Sequence, residues 1–289
     1  MTAFGRVALL ALLTVPMVAS AKADAIRYQP VEGVAQSEVD LIKSKVAEVL
    51  SDISAVGLKA AKLPQKIIIL AGQPTVSGNV DVSNAKNGFI RVNKEVSKRE
   101  MFYALSSLGL KDSASQEILI PGEGIVLTDI VRVRDMVPAT LAAAEDLDFE
   151  SVKLPSIIYV LDGYPAVDSN VDASNVVNGW LRVSKWVTED EFTIGFFRQG
   201  LKDKGNEMTF VPYEGVTLSD LSTVRVAAVA ALTFEVMVRL GLKAPMKVIV
   251  LDGQPAVNGK VDATNAKNGF IRVSKDVTQD EISAALPLK

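Results

Sequence analysis

Lys62 to Ser97 reads KLPQKIIILAGQPTVSGNVDVSNAKNGFIRVNKEVS. Nearly the same words return as KLPSIIYVLDGYPAVDSNVDASNVVNGWLRVSKWVT from Lys153 to Thr188, and as KAPMKVIVLDGQPAVNGKVDATNAKNGFIRVSKDVT from Lys243 to Thr278. Their opening prolines, Pro64, Pro155 and Pro245, lie 91 and 90 residues apart, and upstream a P-x-E-G turn recurs at Pro30, Pro121 and Pro212 with spacings of 91 and 91. Self-similarity at a fixed period sets the architecture before any single element does. The reading is therefore a leader over residues 1–25 and three tandem units over 26–116, 117–207 and 208–289, the third short at its C-terminal end.

Within a unit, hydrophobic periodicity supplies the elements. A short strand (IRYQ, EILI, TFV) stops at the P-x-E-G turn, because proline cannot donate to a ladder. A helix follows, with Ser37, Thr128 and Ser219 expected as N-caps and an acid directly after each. In the first unit Val39, Ile42, Val46, Val49, Leu50 and Ile53 form its apolar stripe. Pro138 is expected to kink or shorten the second unit's helix. The runs KIIILAG, SIIYVLDG and KVIVLDG read as strands buried on both faces. Asn87-Gly88, Asn178-Gly179 and Asn268-Gly269 supply turns into a second strand, FIRVNK, WLRVSK or FIRVSK. Ser97, Thr188 and Thr278, each with Glu three residues later, open a second helix through a capping box. The fold class is α+β, three tandem strand-helix-strand-strand-helix repeats of about 91 residues.

Composition removes whole classes of chemistry. The 289 residues include 31 basic and 34 acidic side chains, net charge −3, with no histidine and no cysteine. Without imidazole there is no Ser-His-Asp triad and no HExxH zinc site. Without thiol there is no disulfide, thiolate nucleophile or zinc finger. The weak acidity without basic stripes argues against nucleic acid as a partner. No cofactor is expected, and an enzyme is not the favoured reading.

Arg6 precedes an apolar run from Val7 to Ala19, followed by the small-x-small patterns Ala19-Ser20-Ala21 and Ala21-Lys22-Ala23. This reads as a secretory signal peptide cleaved between Ala21 and Ala25. The run is shorter than the roughly 20 residues a spanning helix needs, and Pro16 interrupts it. The expected location is periplasmic or secreted, with no membrane span after cleavage.

Two groups of residues stand out as candidate sites. Between the first and third copies, Gly72–Lys94 matches Gly253–Lys275 at 17 of 23 positions, while the first helices barely align. Duplication alone does not explain why the middle stayed alike. In the V-D-x-[ST]-N loop, Asp81, Ser83, Asn84 and Asn87, then Asp172, Ser174, Asn175 and Asn178, then Asp262, Thr264, Asn265 and Asn268 offer hard oxygens that suit Ca²⁺. The competing reading is Asx-turns that satisfy the loop's own backbone. In FIRV, strand alternation places Phe89 with Arg91, Trp180 with Arg182 and Phe270 with Arg272 on one face. Aromatic and arginine side chains dominate binding hot spots, so these six are the candidate binding residues. The competing reading is that the second helix covers the aromatic and that the arginine caps a carbonyl or pairs with an acid. Ser83-x-x-Lys86 superficially matches a nucleophile motif, but it lies in a loop, and the second copy has Val177 in place of the lysine. Glu32, Glu123 and Glu214 of P-x-E-G are the carboxylates that recur besides the loop aspartates.

The order of an apolar strand ending in D-G, V-x-x-x-V-D-x-x-N-A, a turn, G-F-I-R-V-S-K-x-V and a helix opening T-x-D-E-I resembles the core of gluzincin metallopeptidases over about 45 residues per unit. In that family the helix carries the zinc-binding HExxH. Here Ser107 and Leu108 in the first copy, and Arg198 and Gln199 in the second, fall where the first His and Glu would stand, so no zinc ligand or general base carries over.

The leading expectation is an exported, non-catalytic binding or structural protein of the bacterial envelope whose partner is an envelope protein or peptide. The alternatives are a catalytically dead peptidase-like protein that binds peptide along an edge strand or regulates a protease, and a carboxylate-dependent envelope hydrolase.

Overall fold

The computed structural model describes residues 22–75, 78–112, 116–243, 246–255 and 259–286. The expected signal peptide lies, up to residue 21, outside them. The chain is α+β, as expected. In order come β1 (Arg27–Pro30), α1 (Gln36–Ala55), β2 (Leu58–Ala60), β3 (Lys66–Leu70), β4 (Val80–Asp81), β5 (Phe89–Asn93), α2 (Lys98–Ser106), β6 (Leu110–Asp112), β7 (Ile118–Pro121), α3 (Leu127–Asp146), β8 (Phe149–Ser151), β9 (Ile157–Leu161), β10 (Val171–Asp172), β11 (Trp180–Ser184), α4 (Glu189–Phe196), β12 (Leu201–Asp203), β13 (Thr209–Pro212), α5 (Leu218–Ala231), α6 (Phe234–Leu240), β14 (Lys247–Leu251), β15 (Val261–Asp262), β16 (Phe270–Ser274) and α7 (Gln279–Ala285). Among the described residues no helix is long and apolar enough to cross a membrane.

Among the described residues two compact units share this chain, one within 22–134 and 156–163, the other within 135–155 and 164–286. In the first, β1, β3 and β5 run parallel and β4 adds antiparallel to β5. A further row, β2-β6-β7-β9, is antiparallel except for its last pair. In the second unit one sheet is ordered β15-β16-β14-β13-β12-β8, its central three strands parallel, and β10 pairs with β11.

The expectation that the IIIL-type strands are buried on both faces is corrected. In β3, Ile67 and Ile69 are fully buried, while Lys66, Ile68 and Leu70 are half-exposed, and β9 and β14 alternate in the same way. Helices cover one face of the strands: Val39, Ile42, Val46, Val49 and Ile53 of α1 and Met101 and Leu105 of α2 are buried with Ile67, Ile69, Ile90 and Val92. Each such aliphatic side chain contributes roughly 1.5–3 kcal/mol through burial. The β-branched runs reflect a strand in the middle of a sheet, not a second covering layer.

The first-helix caps are also corrected. α1, α3 and α5 begin one residue before Ser37, Thr128 and Ser219, which therefore sit at the second helical position. The acid that follows each is the third helical residue, and it folds back on the cap's N–H: Glu38 on Ala35 at 2.7 Å, Asp129 on Val126 at 3.1 Å and Asp220 on Thr217 at 2.8 Å. Of these caps Thr217 alone returns a side-chain acceptor, to Asp220 N–H. The second-helix caps are as expected, with Ser97, Thr188 and Thr278 each closing a capping box with its Glu. Pro138 does not shorten α3, which has 20 residues like α1. The corresponding stretch of the third passage breaks instead, at Leu232-Thr233, into α5 and α6.

Candidate binding surface

β4 lies antiparallel to β5 in a register that sets Asp81 directly opposite Arg91; the same pairing sets Asp172 opposite Arg182 and Asp262 opposite Arg272. Each arginine reaches its acid, Nη1 to Oδ2, at 3.3, 3.5 and 3.3 Å. Two residues back along the strand, on the same face, stands the aromatic. The guanidinium carbon lies 5.8 Å from the Phe89 ring centre, 4.6 Å from that of Trp180 and 5.4 Å from that of Phe270. The candidate loop and the candidate strand are thus one arrangement of acid, arginine and aromatic ring.

The arginine side chains are 43, 44 and 42% exposed and their acids 11, 14 and 15%. Each cation therefore stays reachable from solvent while a nearly buried carboxylate fixes its position. Buried Ile90, Leu181 and Ile271 stand between each aromatic and its arginine and point to the core. The α2 helix does not seal Phe89, which is half-exposed and also has the Lys66 ammonium 5.4 Å from its ring centre.

The loop groups satisfy one another. The other oxygen of each aspartate accepts a backbone N–H two residues on, from Ser83 at 2.9 Å, Ser174 at 3.0 Å and Thr264 at 3.1 Å, the Asx-turn pattern. Asn84, Asn175 and Asn265 accept from the Asn87, Asn178 and Asn268 amides at 3.2, 3.0 and 3.1 Å. Gly88, Gly179 and Gly269 then end a short 3-10 turn with φ near +90°, a conformation that glycine adopts without steric cost. The Asp81 carboxyl is held below the ordinary carboxylate range, first by hydrogen bonds from Ser83 and then by the Arg91 charge. Asp262 is lowered in the same way, first by Thr264. For Asp172, burial pushes upward, and the Ser174 hydrogen bonds and Arg182 outweigh it. A cation at the Asp81, Asn84, Asp172, Asn175, Asp262 or Asn265 oxygens would compete with these partners. Among the described residues no three His, Cys, Asp or Glu side chains converge.

Glu32, Glu123 and Glu214 are exposed turn residues. The helices that would extend toward an HExxH position end first: α2 stops at Ser106, leaving Ser107 and Leu108 outside it, and α4 stops at Phe196, before Arg198 and Gln199.

A cavity of about 510 Å³ in the second unit was not legible from the matching passages; Val171, Ile194, Arg198, Tyr213, Glu214 and Val216 help to line it. The Arg198 guanidinium stacks 3.4 Å from the Tyr213 ring centre and donates to the Pro212 carbonyl at 2.7 Å. Burial draws its pKa below the ordinary arginine value. The signal lay in divergence between copies, since Arg198 and Tyr213 replace Ser107 and Gly122.

No protein-family model, curated protein or solved structure matches the chain.

Proposed function

We propose that the chain is an exported, non-catalytic binding or structural protein built of three tandem units, whose recognition element is the acid-fixed arginine beside an aromatic ring on the open sheet face. The observation that carries this reading is the triple recurrence of that element with arginine exposures within two percentage points of one another. Arginines already held by Asp81, Asp172 and Asp262 lose little side-chain entropy on meeting a partner, and the neighbouring ring supplies apolar area. The partner class that suits such a face is an envelope protein or peptide with acidic or polar groups around an apolar patch. Export rests on Arg6 and the Val7–Ala19 run.

The test is capture of partners from an envelope extract by the mature protein and by an Arg91→Ala/Arg182→Ala/Arg272→Ala variant with unchanged circular dichroism. The variant is expected to lose the partners that the parent retains. Identical partner sets would remove the face from the account.

A further inference from the structure

The chain itself displays what a first parallel strand of these sheets accepts on its outer edge. β6 runs antiparallel on β7 with Leu110 opposite Leu119, and β12 runs antiparallel on β13 with Leu201 opposite Phe210. Both covering strands are written Gly-Leu-Lys-Asp, at 109–112 and 200–203. Their aspartates are met by an arginine of the following helix, Asp112 by Arg134 at 3.8 Å and Asp203 by Arg225 at 3.7 Å.

β1 is the counterpart of β7 and β13, and among the described residues no strand pairs with its outer side. The amides of Arg27 and Val31 donate inward, to Gln65 at 2.9 Å and Ile69 at 3.0 Å. Strand alternation therefore turns the N–H and C=O of Tyr28 outward. Tyr28 occupies the position of Leu119 and Phe210; they are 2% and 0% exposed, whereas Tyr28 is half-buried. A cavity of about 280 Å³ opens beside it, lined by Asp24, Ile26, Tyr28, Gln36, Val39 and Lys43 together with Pro30, so that one acid and one cation share it. Lys43 stands where the sequence period places Arg134 and Arg225, 5.6 Å from the Tyr28 ring centre, with only the exposed Asp40 carboxylate at 4.0 Å as a long ion-pair partner among the described ion pairs. An uncovered edge, a cavity and a cation at the counterpart position thus coincide.

We propose that the outer edge of β1 receives an extended segment of a protein partner, laid antiparallel with the pattern apolar-x-acidic, its backbone pairing with Tyr28, its apolar side chain lying against the Tyr28 ring and its carboxylate meeting Lys43. This is strand addition. It is a site separate from the arginine face, and it stands whether or not that face binds.

The probe is an acetylated, amidated hexapeptide with the sequence of residues 107–112, Ser-Leu-Gly-Leu-Lys-Asp, titrated into the isotopically labelled full chain and followed by amide NMR. Saturable shifts centred on Tyr28 are expected at millimolar peptide. The same peptide N-methylated at its second leucine should bind about tenfold more weakly, as expected for the loss of one backbone hydrogen bond. Lys43→Glu, a change at an exposed position, should weaken the parent peptide and favour a version carrying Lys in place of Asp. The Arg91→Ala/Arg182→Ala/Arg272→Ala variant should bind the peptide like the parent. No saturable shift at β1, or equal binding of the N-methylated peptide, overturns the proposal; an indifferent Lys43→Glu overturns its acidic requirement.

Discussion

Arg225 Nη1 lies 3.7 Å from Asp203 and donates to the Leu147 carbonyl at 2.7 Å, while its guanidinium carbon sits 5.4 Å from the Phe149 ring centre. One side chain on α5 thereby ties together β12, the residue just past α3, and β8. Arg134 makes the corresponding contacts with Asp112 and the Val56 carbonyl. Asp203 is 5% exposed and otherwise has the Gly205 N–H and the Asn206 amide as donors. Arg225→Ala would leave a buried carboxylate without its counter-charge, at a cost of about 2–4 kcal/mol. Urea unfolding measures this loss. Arg225→Met combined with Asp203→Asn should recover much of it, because no ion is then stranded.

Gly109 and Gly200 lead into the two Leu-Lys-Asp strands with φ of +102° and +111°. A β-carbon would lie 2.3 Å from Ile118 Cγ2 at the first and 2.6 Å from Thr209 Cγ2 at the second. Gly109→Ala and Gly200→Ala should each cost about 2–3 kcal/mol, from left-handed strain plus the clash. Gly259→Ala, with open space around its β-position, is the control and should stay within roughly 0.5 kcal/mol of the parent.

Stability should change little between about pH 5 and pH 8, because the chain contains no histidine to titrate there. On the acid side, Asp81, Asp172, Asp262, Glu100 and Glu191 have carboxyls lowered in the folded state. Groups with depressed folded pKa values stabilise the fold above the unfolded carboxylate range, and that contribution fades as pH falls through the folded values. Melting temperature should therefore drop below about pH 4. On the alkaline side, burial, and secondarily Asp24, pushes the Tyr28 hydroxyl up to about 12. Its contribution is complete below the unfolded tyrosine value near 10 and is lost as pH rises toward the folded one. A melting profile across pH with both shoulders and a flat centre is the expected outcome.

Thr188 accepts the Glu191 N–H at 3.3 Å while Glu191 accepts the Thr188 N–H at 2.8 Å. Thr188→Ala should destabilise by about 1 kcal/mol, as losses of helix caps do. Ser37→Ala, at the position that the sequence alone marks as a cap, should cost less because Ser37 lies inside α1. Chemical denaturation of the two variants tests the cap assignment directly.

What the sequence discloses follows the range of each signal. Capping boxes are local, so Ser97, Thr188 and Thr278 are legible in four letters each. The alternation that brings Phe89 and Arg91 to one face is local too. β2, β6, β8 and β12 are three residues long and leave no periodic trace. Each has a non-local partner, β2 on β6 and β12 on β8, so pairing rather than propensity makes them strands. The apolar run Ile67–Ile69 misleads about burial because a central parallel strand favours β-branched residues whether or not both faces are covered. The partnership of Asp81 with Arg91 required the register of β4 on β5, which two residues, Val80 and Asp81, cannot announce.

The central claim is that the three arginine–aromatic elements hold a partner. Its most direct measurement is the affinity of the partner captured from an envelope extract for the parent protein and for Arg91→Ala/Arg182→Ala/Arg272→Ala, by calorimetry. A loss of at least about tenfold, or 1.4 kcal/mol, is predicted for the variant. Equal affinity of the two proteins, with both folded to the same melting temperature, would contradict it.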